Sequence, residues 1–175
     1  MYKRKSILLL SLITVLTLVI AGCKHDESKK TRAKLSDEQL VNVNRELVIK
    51  ERERIESYIS RKGLDMEMTD AGIWYSITAN GEGDRLGGGD RVRLEYTCSL
   101  LDGTLCYSSD INGDMIITIG KSDIPAGLDL ALRLLNTASR ALIILPSNMA
   151  FGLVGDGDRI PARAALIYEI AVFPA

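Results

Sequence analysis

The chain has 175 residues, of which 46% are hydrophobic and 26% charged, a composition typical of globular proteins. Its 22 Lys and Arg residues nearly balance 23 Asp and Glu residues, which leaves no broad positive field to attract nucleic acid. Three irregularly spaced cysteines argue against a disulfide framework or a zinc site. The single histidine, His25, argues against a Ser-His-Asp triad and a His-ligated metal. We therefore expect no metal, no cofactor and no nucleic-acid partner.

The first 22 residues have the pattern of a secretory signal peptide. A basic start at residues 3–5 is followed by an apolar stretch over residues 7–20, as in the charged and apolar regions of such leaders. The stretch is shorter than the roughly 20 residues of a membrane-spanning helix, and an uncleaved membrane anchor is the alternative interpretation. Small residues then precede Cys23, and this ending resembles the lipobox of bacterial lipoproteins.

The lipobox resemblance implies that Cys23 carries lipid and becomes the mature N-terminus. Residues 1–22 are then the signal peptide, and the polar segment 23–35 is a solvated tether. Several acyl chains anchor a protein stably, because each buried CH₂ contributes about 0.8 kcal/mol. Lys24 is not the aspartate that commonly holds lipoproteins at the inner membrane. The resemblance therefore implies a location outside the cytoplasm at the outer membrane, on its periplasmic or cell-surface side.

Segment 36–69 is predicted to hold one long amphipathic helix and a linker. Ser36 and Gln39 form a capping-box pattern, and basic residues followed by glycine mark the other end, which predicts a helix over about residues 37–62. Its apolar residues recur at intervals of three, four and seven: Leu40, Val41, Leu47, Val48, Ile55, Tyr58 and Ile59. This narrow stripe suits packing on its own domain or on a partner. We expect a monomer or weak dimer whose helix leans on the domain.

From residue 70 onward, short β-prone segments alternate with turn residues such as Gly, Asp and Asn. The clearest segment is 91–100, where apolar and polar residues alternate as in a strand with one buried face. The other predicted strands are 73–79, 115–119, 141–145 and 164–173. Apolar residues at i, i+3, i+4 and i+7 from Leu128 to Leu135 indicate one short helix. This helix is apolar enough to be buried against the sheet.

A β-hairpin is predicted where Asp102 and Gly103 follow the clearest of these strands. Asp-Gly favours a type I′ turn, in which both central residues have positive φ. Pairing about this tip places Cys98 opposite Tyr107 and sends Cys106 to the other face of the sheet, unless a bulge intervenes. We therefore expect two free thiols rather than a disulfide.

Taken in chain order, these segments resemble the FKBP family of peptidyl-prolyl isomerases over residues 70–175. Each matching segment is short, but their order and spacing together agree with the family. The segments are Gly89–Val92, Glu95–Thr97, Leu101–Thr104, Ser108–Ser109, Ile119–Lys121, Ile124–Leu128, Leu145–Gly152, Ile160–Pro161 and Leu166–Glu169. The resemblance implies an α+β fold, a curved antiparallel β-sheet wrapped on one short helix, preceded here by the N-terminal amphipathic helix.

The resemblance also implies an activity, the cis-trans isomerisation of X-Pro bonds, here in exported proteins and in the role of a folding factor. Family members bind the X-Pro segment in an apolar pocket between sheet, helix and loops, and use no nucleophile, metal or cofactor. The family's catalytic positions correspond to Tyr96, Tyr107, Phe151 and Tyr168. Its substrate-binding positions correspond to Cys106, Met115, Ile124, Pro125, Leu128 and Ile160.

Several of these positions depart from the family pattern. The family usually has Phe-Asp where Cys106 and Tyr107 stand, and an aromatic residue near Met115. It has a Trp in place of Leu128 and a Tyr in place of Phe151. The pocket remains apolar but has lost aromatic area, a carboxylate and a hydroxyl. A second hypothesis is therefore an FKBP-like lipoprotein with weak or no catalysis that binds a protein partner or client.

Overall fold

The computed structural model describes residues 36–175, and the predicted signal peptide, Cys23 and the tether lie outside them. The helices are α1 (Asp37–Lys62), α2 (Ser109–Asn112), α3 (Ala126–Leu132) and a 3₁₀ turn (Ser147–Met149), hereafter the 147–149 turn. The strands are β1 (Glu67–Met68), β2 (Trp74–Ala79), β3 (Arg91–Leu100), β4 (Leu105–Ser108), β5 (Met115–Thr118), β6 (Arg140–Leu145) and β7 (Leu166–Pro174). No helix in the described part of the chain is long and apolar enough to cross a membrane.

The strands form one antiparallel sheet in the order β1-β2-β6-β7-β3-β4, with β5 also pairing with β3. Strand β3 pairs with three other strands, with β7 along one edge and with both β4 and β5 along the other. Its bounds are those predicted from the alternating pattern. Side chains on a strand point alternately to opposite faces, and the buried ones are Val92, Leu94, Tyr96 and Cys98.

Helix α3 packs on the core-facing side of the sheet with most of its apolar residues buried, although Leu130 is exposed. Leu128 and Leu132 are completely buried, as expected for the short apolar helix predicted from the sequence. The helix ends at Leu132, although Leu135 remains buried in the turn that follows. The α+β architecture, with an antiparallel sheet wrapped on one short helix and preceded by an N-terminal helix, is thereby confirmed.

Helix α1 contacts the sheet through the C-terminal half of its apolar stripe. Ile55 is 1% exposed and packs with Ile144, Ala165 and Ile167 in a second, smaller core cluster. The N-terminal half is different, since Val48 is 57% exposed and other apolar residues of the first turns are also exposed. The helix therefore leans on the domain as predicted, but only over its last turns.

The hairpin between β3 and β4 differs from the predicted type I′ turn. Only Gly103 has positive φ, at 92°, whereas Asp102 does not. The Leu100 amide donates to the Thr104 carbonyl at 2.9 Å, and the Gly103 amide donates to the Leu100 carbonyl at 2.9 Å. The type I′ prediction is therefore wrong, and the loop is of the longer kind in which a single glycine follows the turn.

The pairing of β3 with β4 contains a bulge that decides where Cys106 points. Cys98 lies opposite Tyr107 as predicted, but the next pair is Ser99 with Leu105, so Cys106 is skipped in the register. A bulge turns the extra residue out of strict alternation. Cys106 is 1% exposed and lies in the same core as Cys98, rather than on the opposite face, and both thiols are free.

Candidate active site

Nine of the ten predicted pocket residues belong to one apolar cluster on the core-facing side of the sheet. Five of the nine are buried and form its floor: Tyr96, Cys106, Leu128, Ile160 and Tyr168. The four half-buried members reach the surface: Tyr107, Met115, Ile124 and Phe151. The tenth residue, Pro125, is half-buried and stands at the N-cap of α3, directly after Ile124. The fold thus gathers residues that are up to 72 positions apart, from Tyr96 to Tyr168.

The floor of this cluster contains polar atoms but no ionised group. Burial is the largest influence that raises the pKa of Tyr168, and the neighbouring Cys98 thiol raises it further. Burial also raises the pKa of Tyr96 and raises the pKa of Cys98 to about 12. Because desolvation disfavours the charged form of each group, both phenols and the thiol are protonated at neutral pH.

A carboxylate that the sequence analysis missed lies at the accessible edge of the site. The Tyr107 hydroxyl donates a hydrogen bond to Asp156 Oδ2 at 2.5 Å. The other carboxylate oxygen accepts hydrogen bonds from the amides of Asp158, at 2.9 Å, and Ile160, at 2.8 Å. The Gly-Asp-Gly-Asp stretch at 155–158 signals a turn in which Asp caps later amides. The sequence therefore indicates the turn but not the residue beside it. Only the fold places the Asp156 carboxylate beside Tyr107.

These hydrogen bonds set the ionisation of the Tyr107–Asp156 pair. The bond to the Asp156 carboxylate, with a smaller effect of burial, raises the pKa of Tyr107 to about 12. Burial alone acts to raise the pKa of Asp156, but the bonds from Tyr107 and the two amides outweigh it and lower that pKa. At neutral pH the pair is a protonated phenol donating to a carboxylate. The carboxylate beside Tyr107 thus comes from the loop that carries Asp156 and not from β4.

Arg159 ties the same loop to β4. Its Nη1 atom donates to the Cys106 carbonyl oxygen at 2.9 Å, and its guanidinium carbon lies 5.4 Å from the centre of the Tyr107 ring. At that distance a cation is attracted to the face of the ring. Together with the Tyr107–Asp156 bond, these contacts fix the loop that carries Ile160 against the strand that carries Cys106 and Tyr107.

The loop of residues 155–160 is also held by a backbone hydrogen bond between its own residues. The Asp156 amide donates to the Ile160 carbonyl at 3.1 Å, and Gly155 adopts a φ of +73°. A Cβ atom on Gly155 would lie 2.1 Å from the Ile160 carbonyl oxygen, which no side chain tolerates. Glycine is therefore required at this position for both its conformation and its size.

The side chains of the described residues limit the kinds of ligand that the domain can bind. Within residues 36–175, no three His, Cys, Asp or Glu side chains gather as a metal site. An open groove of about 690 Å³ lies along the outward side of the sheet, where Glu95, Thr97 and Glu169 alternate with the buried residues of their strands. Its lining combines charged and polar residues with Tyr96, Ala141 and Ile170, which also belong to the apolar cluster. The half-buried members of the cluster, Tyr107, Met115, Ile124 and Phe151, are aromatic or aliphatic side chains that suit contact with an apolar peptide segment.

Comparison with known proteins agrees with this geometry. The family model for FKBP-type peptidyl-prolyl cis-trans isomerases matches residues 83–173, more than half of the chain. A probable FKBP-type isomerase, FkpA, of Neisseria meningitidis is 34% identical over 105 residues, which cover 60% of this chain and 38% of that protein. The 22 kDa FKBP-type isomerase of Escherichia coli is 30% identical over 116 residues, covering 66% of this chain and 55% of that protein. The chain thus spans less than two thirds of either relative.

Solved structures show the same fold. The crystal structure of FkpA from Escherichia coli superposes with a TM-score of 0.63 at 19% identity, covering 80% of this chain and 73% of that one. A peptidyl-prolyl cis-trans isomerase from Pseudomonas syringae gives a TM-score of 0.62 at 22% identity, covering 74% of this chain and 92% of that one. Since the family model matches over half of its length and the fold agrees, the chain belongs to the FKBP-type peptidyl-prolyl cis-trans isomerase family.

Proposed function

We propose that the protein is a peptidyl-prolyl cis-trans isomerase that acts on X-Pro bonds of exported proteins as a folding factor. The observation that carries the proposal is the convergence of nine predicted pocket residues in one apolar cluster of a chain that belongs to this family. The cluster contains protonated phenols rather than charged groups, which suits a reaction without nucleophile or metal.

The chemistry requires only that the site favour a twisted amide over a planar one. Resonance holds the peptide bond planar with a barrier of about 18–20 kcal/mol, and an uncatalysed X-Pro bond isomerises in tens to hundreds of seconds. A twisted amide has less charge separation than a planar one, so a dry apolar site disfavours the planar form. Each 1.4 kcal/mol of such preference accelerates the reaction about tenfold.

A protease-coupled or NMR exchange assay with several short X-Pro peptides tests this function. We expect the full-length chain to accelerate isomerisation, and Met115→Ala to reduce the rate. Ile116→Ala is the matched control, because Ile116 is the next residue on β5 and is 51% exposed. Wild-type rates equal to those of buffer across all the peptides would contradict the proposal.

The second candidate is an FKBP-like protein that binds a partner or client with little turnover. The observation that favours it is the loss of the family's Tyr at Phe151 and Trp at Leu128. Under this hypothesis Phe151→Tyr, alone or with Leu128→Trp, raises a very low rate. Phe151 is half-buried, whereas Leu128 is fully buried and a Trp there would overpack the core. Phe151→Tyr alone is therefore the informative variant, and a wild-type rate typical of the family would exclude this candidate.

For the location of the protein, we infer lipidation at Cys23 and residence at the outer membrane. The support is the signal-peptide pattern, the lipobox resemblance and the residue at position 24. Labelling of cells with an alkyne fatty acid should mark the wild type and Cys106→Ala but not Cys23→Ala. Equal labelling of all three would exclude the anchor, and recovery in the inner-membrane fraction would exclude the proposed membrane.

We also infer that the protein is a monomer or a weak dimer. Ile55 of α1 is already buried against the domain, whereas the exposed apolar residues of the first turns do not form sustained heptads. Sedimentation of residues 24–175 at tens of micromolar should show mainly monomer. A tight dimer under these conditions would contradict this inference.

A further inference from the structure

Glu51 of α1 is buried inside the domain, with 6% of its surface exposed. Its Oε1 atom accepts a hydrogen bond from the Ser147 amide at 2.8 Å, and its Oε2 atom accepts one from the Ser147 hydroxyl at 2.9 Å. Ser147 is itself 7% exposed. Among the described residues Glu51 is the one buried charged side chain, and it makes no salt bridge.

A buried carboxylate is costly unless it is fully hydrogen-bonded. Here both carboxylate oxygens of Glu51 accept hydrogen bonds from one residue, Ser147, which lies 96 positions later in the chain. Ile55 packs α1 on the sheet through apolar contacts, which have no preferred direction. The carboxylate instead adds directional bonds that specify the position of Ser147, and hydrogen bonds to a charged group are stronger than neutral ones.

Ser147 determines the backbone that leads to Phe151. It is the first residue of the 147–149 turn, and its carbonyl oxygen accepts hydrogen bonds from the Ala150 amide, at 3.1 Å, and the Gly152 amide, at 2.7 Å. Phe151 lies between these two donors. A shift of Ser147 therefore moves the backbone on both sides of a residue in the candidate active site.

The same turn also lies against α3, which carries Leu128. A Cβ atom on Gly127 would lie 2.8 Å from the Met149 carbonyl oxygen and 2.9 Å from the Met149 Cβ. No space separates the turn from the helix, so a displaced turn also displaces Leu128. The positions of Phe151 and Leu128, on either side of this contact, therefore both depend on the position of Ser147.

We propose that Glu51 is a positioning residue for the isomerase reaction, through which helix α1 sets the 147–149 turn and hence Phe151 and Leu128. Helix α1 then helps to set the geometry of the active site, in addition to connecting the domain to the N-terminal segment. This inference rests on the proposed function, because the consequence for rate requires that the site be catalytic.

Three variants of the full-length chain test it. Glu51→Ala removes both acceptors. Glu51→Gln keeps one acceptor, because its amide oxygen can accept from the Ser147 amide, and it reverses the second bond, because its NH₂ group can donate to the Ser147 hydroxyl oxygen. Ile55→Ala is the matched control, since Ile55 lies on the same face of α1 one turn later but packs on Ile144, Ala165 and Ile167 and not on the turn.

Two readouts are measured, kcat/KM on a short X-Pro peptide and the hydrogen-exchange rates of the Ala150 and Gly152 amides. In Glu51→Ala we expect kcat/KM to fall on the order of tenfold and both amides to exchange at least about tenfold faster. Amides of the β3–β7 pairing should keep wild-type rates. Glu51→Gln should recover most of both readouts, because it keeps two hydrogen bonds to Ser147, although they are weaker than those to the charged carboxylate. Ile55→Ala should lower stability while changing both readouts by less than about threefold.

The inference is overturned if Glu51→Ala leaves amide exchange and kcat/KM at wild-type values. It is also overturned if Glu51→Gln is as impaired as Glu51→Ala, or if Ile55→Ala affects the turn as strongly. If the wild type shows no isomerase activity, the proposed function fails, and with it any role of Glu51 in rate. The exchange rates of Ala150 and Gly152 then still decide whether Glu51 positions the turn.

Discussion

Gly127 and Met149 pack without room for a side chain on the glycine, since a Cβ there would lie 2.8 Å from the Met149 carbonyl oxygen. We expect Gly127→Ala to lower the free energy of unfolding, because overpacking costs about 1–3 kcal/mol. The better helix propensity of Ala, worth up to about 1 kcal/mol, offsets only part of this. Urea denaturation measures the effect. Gly88→Ala is the control, since its Cβ would meet nothing closer than 3.7 Å, and equal stability of both variants would contradict the prediction.

The Tyr107–Asp156 hydrogen bond should hold the loop that carries Ile160. Tyr107→Phe removes one hydrogen bond, whereas Asp156→Ala removes three. We therefore expect faster hydrogen exchange of the Ile160 amide and a rate loss of roughly threefold in Tyr107→Phe, with larger effects in Asp156→Ala. In the double variant, Tyr107→Phe should add nothing, because its partner is already absent. Fully additive effects would show that the two residues do not act together.

The same pair predicts how the loop responds to pH. The lowered pKa of Asp156 means that its stabilising contribution is present above its ordinary pKa of 3.8 and is lost as pH falls through the lowered value. The raised pKa of Tyr107 means that its contribution is present below 10.0 and is lost as pH rises through about 12. The NMR shift of the Ile160 amide should therefore be constant from pH 5 to 9 and change below about pH 4.

Asp156→Asn is the control for this titration. It removes the ionisable group but retains one oxygen acceptor, so the acid change at Ile160 should disappear. A transition of the wild-type shift near neutral pH would contradict the assignment to this pair.

The two core thiols should be poorly reactive in the folded protein. Burial raises the pKa of Cys98 to about 12 and raises the pKa of Cys106, and the thiolate is the form that reacts. At pH 8 we expect iodoacetamide to alkylate Cys98 roughly a thousandfold or more slowly than an exposed thiol of pKa about 8.5. Mass spectrometry of peptides separates each site from Cys23. Rapid alkylation without denaturant would show that the core opens readily.

Ile55 should contribute to the stability of the domain through the smaller core cluster that it forms with Ile144, Ala165 and Ile167. Removing a buried Ile side chain to Ala costs about 2–5 kcal/mol, and Ile55 is 1% exposed. We expect Ile55→Ala to lower the urea midpoint accordingly. Val48→Ala on the same helix should change stability by less than about 0.5 kcal/mol, since Val48 is 57% exposed. Similar losses in both variants would indicate that the first turns are also covered.

The sequence by itself determined the elements whose signals are local. Capping residues and the apolar stripe predicted α1 to the residue, and alternation predicted β3 from Arg91 to Leu100. The remaining predicted strands began within two residues of those observed. Short β1 was missed because two residues carry no period. These successes have one cause, since helix and strand periods are properties of neighbouring residues along the backbone.

Only the tertiary structure decided which distant groups meet. The carboxylate beside Tyr107 comes from Asp156, 49 residues later, and the buried acceptor for Ser147 comes from Glu51, 96 residues earlier. The bulge that brings Cys106 into the core arises from the register of β3 with β4. No local period encodes such contacts, because they depend on how strands pair and loops close. The order of residues thus specified the family, whereas three-dimensional packing specified which distant groups hold the predicted site residues in place.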